Sequence, residues 1–197
     1  MEPQHEEALK KYFLDAFKGY SGIMFSGGTQ HLNEDDSRQF MITEIPVLIA
    51  AANPGVKTLA TFPRTGQMTL VNLHAELSLD EGGNQPDARY DELTLVQQGP
   101  NELLGWDGDL DTYFELMGIW KELGANQAVL TYNGGGVTYK EAKRAYEFEY
   151  PLIIIDGSGR KSDELAIELA DKENVYIVKA GDTQALRFVL ETLGFVS

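Results

Sequence analysis

The chain has 197 residues, 43% hydrophobic and 24% charged, which fits one soluble globular domain, and its lack of cysteine excludes disulfides, thiolate zinc sites, iron–sulfur clusters and cysteine nucleophiles. Sixteen Lys and Arg against 31 Asp and Glu give a net charge of −15, which argues against nucleic-acid duplexes and anionic membranes as partners but leaves room for a small anion held by backbone N–H groups. The most apolar runs, 45–52 and 152–155, fall far short of the ~20 residues of a membrane helix, and residues 1–18 lack a signal-peptide core, so a cytoplasmic protein is expected.

In chain order, residues 1–20 read as an amphipathic helix with Leu9, Tyr12, Phe13, Ala16, Phe17 and Tyr20 at helical spacing, broken by Gly19 and Gly22. A short buried strand is expected at 22–26. A helix follows at 37–53, closed by Asn53-Pro54-Gly55, with Pro46 predicting a kink or a break inside it. Residues 56–62 read as a strand, 68–79 as one or two strands, 81–89 as a loop (with 80–90 expected to be mobile), and 93–97 as another strand. Beyond this point helices (109–123, 138–149, 162–172, 183–193) alternate with apolar strands (128–132, 152–155, 175–178). That alternation predicts a single α/β domain over 1–197: Rossmann-like, with a mostly parallel sheet covered by helices on both faces.

Open parallel sheets bind ligands beyond the carboxyl ends of their strands. The segments leaving the strands here are Ser26-Gly27-Gly28-Thr29, Phe62-Pro63-Arg64, Gln97-Gln98-Gly99-Pro100-Asn101, Asn133-Gly134-Gly135-Gly136 and Asp156-Gly157-Ser158-Gly159-Arg160. Three of them are glycine-rich and lead towards a further element. Glycine admits close backbone approach and positive φ, and a following helix start offers unpaired N–H donors, which together predict a phosphate cradle. Neither a dinucleotide G-x-G-x-x-G fingerprint nor a P-loop is present.

Three of these segments resemble the SLOG superfamily, most closely its branch at the N-terminus of TRPM channels and in stand-alone bacterial proteins. They are Ser26-Gly27-Gly28-Thr29; Asn133-Gly134-Gly135-Gly136 with Thr138 and Glu141; and Ile155-Asp156-Gly157-Ser158-Gly159-Arg160 running into Asp163 and Leu165. The last is the most specific. The resemblance implies a Rossmann-like domain that binds and senses nucleotides or ADP-ribose-type ligands without a required cofactor, often as a dimer. The alternative it implies is a LOG-like phosphoribohydrolase that cleaves an N-glycosidic bond, using P-G-G-x-G-T-x-x-E. Against that motif the chain keeps Gly134, Gly135, Thr138 and Glu141 but has Asn133 for Pro and Val137 for the later Gly.

Each remaining feature has a plainer reading beside the functional one. Glu141 is either a catalytic carboxylate or a helix-dipole partner. Arg160 either grips a ligand phosphate or pairs with Asp163 or Glu164, and Asp163 either serves the site or completes a cap. Ser158 lacks a G-x-S-x-G elbow. His5, His31 and His74 show no zinc spacing, and Asp107, Asp109 and Asp111 lack the glycine and glutamate of a calcium loop, so no metal is expected. The aromatics on the first helix, with Tyr113, Phe114, Met117 and Trp120 later, either cover the sheet or leave a surplus for a homodimer or higher oligomer.

Overall fold

The computed structural model describes residues 3–32, 38–64, 68–70, 77–79, 84–97, 99, 102 and 104–197. Its contacts cluster into two compact units, Met1–Asp111 and Thr112–Ser197.

In the first unit, helix α1 (Pro3–Ala16) buries Leu9, Tyr12, Phe13 and Ala16, and the chain turns at Gly19, whose φ is +83°. The Gly19 N–H donates to Asn53 Oδ1 at 2.8 Å, fixing where the chain leaves the helix. Strand β1 (Gly22–Ser26) is followed by β2 (Thr29–Leu32) and the two-residue β3 (Arg38–Gln39). A 3-10 turn at Ile42–Glu44 leads into α2 (Ile45–Ala52) and strand β4 (Val56–Pro63). Short strands β5 (Met68–Leu70), β6 (Leu77–Leu79) and β7 (Asn84–Pro86) precede β8 (Glu92–Val96). The parallel sheet runs β1-β4-β8, while β3-β2-β7 and β5-β6 are small antiparallel sheets.

Two expectations need correcting. The helix expected from residue 37 begins only at Ile45, and Pro46 sits in its first turn, where its missing N–H would have had no partner. Nothing is kinked. The loop expected at 81–89 contains β7, which pairs antiparallel with β2 in the register Thr29↔Pro86, Gln30↔Gln85 and His31↔Asn84. Residues 80–83 lie outside the described residues. The ambiguous stretch 68–79 yields two strands, β5 and β6, paired through Met68↔Leu79.

Helix α3 (Leu110–Glu122) leads into the second unit, where β9 (Val129–Tyr132), α4 (Gly136–Glu147), β10 (Leu152–Asp156), α5 (Arg160–Glu168), β11 (Val175–Lys179) and α6 (Thr183–Thr192) follow one another. The strands pair in parallel in the order β11-β10-β9. Leu152, Ile153, Ile154 and Ile155 are all buried, as a strand with neighbours on both edges and cover on both faces requires. Helices α4 and α5 pack on each other and α5 lies on β10. Phe114 of α3 stacks on Phe148 with centroids 5.8 Å apart.

Candidate functional site

The exits of β9 and β10 are neighbours because their strands are paired, Ile155 standing opposite Tyr132. Both turn sharply. Asn133, Gly134, Gly157, Gly159 and Arg160 all have positive φ, from +52° at Arg160 to +100° at Gly159. Holding Asn133 and Arg160 there costs about 1–2 kcal/mol each, so other contacts must fix them.

The Ser158 hydroxyl supplies one such contact, accepting the Asn133 N–H at 2.8 Å while donating to the Ile155 carbonyl at 2.6 Å. With its proton donated and one of its two lone pairs occupied, Ser158 is a staple between two loops. A second seam joins the same loops: the Ser162 N–H donates to the Asn133 carbonyl at 3.0 Å, and the Lys161 N–H points at the Gly134 carbonyl, 3.5 Å away.

The two helix starts differ. At α5, Gly157 N–H and Gly159 N–H both donate to Asp163 Oδ1, at 2.8 and 3.0 Å. With Lys161 and Ser162 facing carbonyls, the N–H groups of Gly157, Gly159, Lys161 and Ser162 all have acceptors in the chain. At α4, by contrast, Gly135 occupies the cap position without a capping side chain, and the first helical bond is Tyr139 N–H to the Gly135 carbonyl at 3.1 Å. The N–H groups of Gly136, Val137 and Thr138 therefore have no acceptor within the helix.

Arg160 reaches this open end. Its Nη2 lies 3.1 Å from where a Cβ on Gly135 would stand, so the guanidinium lies against the backbone of the Gly135 turn. The side chain is exposed and makes no ion pair among the described residues; Asp163 is bonded to glycine N–H groups and Glu164 to Lys161. Asp156, at the end of β10, pairs with Lys179. Thr138 packs on Gly134, where a Cβ would stand 2.5 Å from the Thr138 Cβ, and Glu141 is half-buried on α4. Asn133 Oδ1 and the hydroxyl of the fully buried Ser162 have no hydrogen-bond partner among the described residues.

In the first unit, Gly27 is exposed and Gly28, at φ +58°, is buried. A Cβ on Gly28 would overlap Ala60 and lie 3.0 Å from Leu93 Cδ2, so glycine here serves close packing. The Gly28 carbonyl accepts the Asp87 N–H at 2.8 Å, and the Thr29 carbonyl accepts the Thr43 hydroxyl at 2.6 Å. Arg64 donates its N–H to Val96 and accepts from Leu104 N–H. Gln98, Pro100, Asn101 and His74 lie outside the described residues.

Sequence reasoning missed the ionic latch beneath this exit. Arg89 Nε donates to Asp87 Oδ1 at 2.8 Å, and its Nη2 pairs with both Asp87 and Glu44. Both carboxylates are buried, and together they hold the Arg89 guanidinium more firmly protonated than usual, the Asp87 hydrogen bonds being the larger cause. Tyr90 donates to the Thr43 carbonyl at 2.5 Å, and burial pushes its phenol well above the ordinary range. Near the end of β4, Thr61 donates to Asp109 Oδ2 at 2.8 Å; burial raises the Asp109 carboxyl above the ordinary carboxylate range against the lowering effect of that bond. No spacing rule could link Glu44 to Arg89.

Among the described residues, no three His, Asp or Glu gather to hold a metal ion, and no helix is long and apolar enough to cross a membrane. No family model matches the chain, and no curated protein matches it. Among solved structures it is similar to the X-ray structure of TM1055, a structural-genomics target, with a TM-score of 0.50 and 17% identity over 98% of this chain and 91% of that one. The fold is Rossmann-like. At that identity the likeness speaks for architecture alone, consistent with parallel strands flanked by helices.

Proposed function

We propose that this protein is a SLOG-type, non-catalytic binding and sensing domain for a nucleotide or nucleotide-derived ligand, held by a phosphate at the start of α4. The observation that supports this reading is the posture of Arg160. In a chain with a net charge of −15, this arginine is kept at φ +52° with its guanidinium over Gly135, next to an uncapped helix start, and without a carboxylate partner among the described residues. Helix N–H groups and a fork of guanidinium donors are complementary to phosphate oxygens.

Calorimetric titration with AMP, ADP-ribose and NAD, with product analysis of each mixture, tests the proposal. Binding without turnover, weakened at least tenfold by Arg160→Ala, is expected, since a charge-assisted hydrogen bond contributes about 1.5–3 kcal/mol. Released base would favour the LOG-like hydrolase, with Glu141 as its carboxylate. No heat with any of the three at millimolar concentration would sink the proposal.

A further inference from the structure

We propose that Asp163 is a specificity-determining residue of this edge: its carboxylate occupies the anion position of the 157–159 turn, so a ligand anion is accepted at the start of α4 and a second phosphate is excluded beside it. The proposal rests on the reading of this edge as an anion site and narrows which ligands fit.

The turn has the form of an anion-binding nest, in which successive N–H groups converge because glycines at φ +82° and +100° flank Ser158. The converging donors, Gly157 N–H and Gly159 N–H, meet a single oxygen, Asp163 Oδ1, at 2.8 and 3.0 Å. The anion that the nest is shaped for is therefore part of the chain. A phosphate entering the turn would have to expel this carboxylate or lie against it, and like charges at that distance repel. The atom alongside is Asn133 Oδ1, which has no hydrogen-bond partner among the described residues and lies 3.8 Å from where a Cβ on Gly159 would stand.

The start of α4 has no such occupant, and Arg160 is turned towards it. Adjacent strand exits are about 4.8 Å apart, comparable to the span of a pyrophosphate. A diphosphate laid across both exits would thus put one phosphate on favourable donors and the other against Asp163.

The experiment uses the full chain and two probes. First, inorganic phosphate is titrated into 15N-labelled wild type and Asp163→Ala at constant ionic strength. The Gly157 and Gly159 amide resonances should shift much further with phosphate in the variant than in wild type, because only the variant leaves their N–H groups free to bond it. Equal shifts of these two amides in both proteins would overturn the proposal, as would their indifference to phosphate in the variant. Second, AMP and ADP are compared by calorimetry. In wild type their affinities should agree within about threefold, whereas Asp163→Ala should favour ADP by at least about tenfold, or 1.4 kcal/mol. A wild type that prefers ADP tenfold would refute the role of Asp163 even if the variant fails to fold. If wild type binds neither nucleotide, the proposed function fails and the phosphate titration still decides the role of Asp163.

Discussion

Gly134, Gly135 and Gly159 adjoin one another in the candidate site, yet replacing them should have different consequences. Gly134 is at φ +67° and a Cβ there would be driven into Thr138, so Gly134→Ala should lower stability by about 2 kcal/mol or more, seen in denaturant unfolding. Gly159 is at φ +100°, so any side chain there strains the backbone and confounds a binding assay. Gly135 has an ordinary φ of −112°, and its Cβ would meet only the tip of Arg160 at 3.1 Å. Gly135→Ala should therefore leave the unfolding midpoint nearly unchanged while displacing the guanidinium, so that nucleotide affinity falls and stability does not. Asp109 makes a separate case. Burial raises its carboxyl, so the folded state binds that proton more tightly than the unfolded chain does. Stability must then fall as pH rises from the ordinary carboxyl value of about 3.9 through the raised one. Asp109→Asn, which still accepts from Thr61, should raise the melting temperature at neutral pH and lose that advantage in acid. An advantage that is independent of pH would mean that burial does not govern this carboxyl.

At the level of elements, legibility followed the range of the interactions. The sequence Leu152–Ile155 followed by Asp156-Gly157-Ser158-Gly159 reads as a central strand with a tight exit, because an apolar run and its punctuation are adjacent in sequence. Asp163 is legible as a cap, but its choice of Gly157 and Gly159 N–H groups depends on φ values that no pattern encodes. The stretch Glu81-Gly82-Gly83-Asn84-Gln85-Pro86 reads as a loop, since a three-residue strand has too few positions to show alternation. What orders the end of that stretch is non-local: β7 borrows β2 as a partner, and Arg89 reaches Glu44, 45 positions away. The same distance makes the latch testable. Replacing Arg89 with Met keeps the stem but removes the guanidinium that the buried Asp87 and Glu44 share, a change that typically costs about 3–5 kcal/mol. The guanidinium is one-third exposed, which places the expectation at the lower end, about 3 kcal/mol. Urea unfolding measures the deficit, and a loss below about 1 kcal/mol would mean that these ion pairs contribute no more than exposed ones do.

Across the whole molecule, most of the aromatic residues that invited a dimer lie inside the fold: Tyr12, Phe13, Phe17, Tyr20, Phe114 and Met117 are buried, while Tyr113 and Trp120 are half-buried. An oligomer would draw on exposed residues such as Leu123, Ile167 and Phe188. The net charge of −15 makes a prediction that does not depend on oligomeric state. A folded chain with so large a net charge repels itself, and salt screens that repulsion, with a Debye length falling from about 30 Å at 0.01 M to 10 Å at 0.1 M ionic strength. Sodium chloride should therefore raise the melting temperature steadily over that range. Phosphate at matched ionic strength should raise it further for two reasons: exclusion from the protein surface, which acts on any protein, and occupancy of the start of α4, which acts only on the folded form. Arg160→Ala separates them, since it removes the guanidinium from the site and leaves surface exclusion untouched. The increment of phosphate over chloride should approach its limit at a finite concentration in wild type and shrink to a linear trend in Arg160→Ala. Equal increments in both proteins would mean that the arginine over Gly135 holds no phosphate, and the anion site would have to be sought elsewhere in the chain.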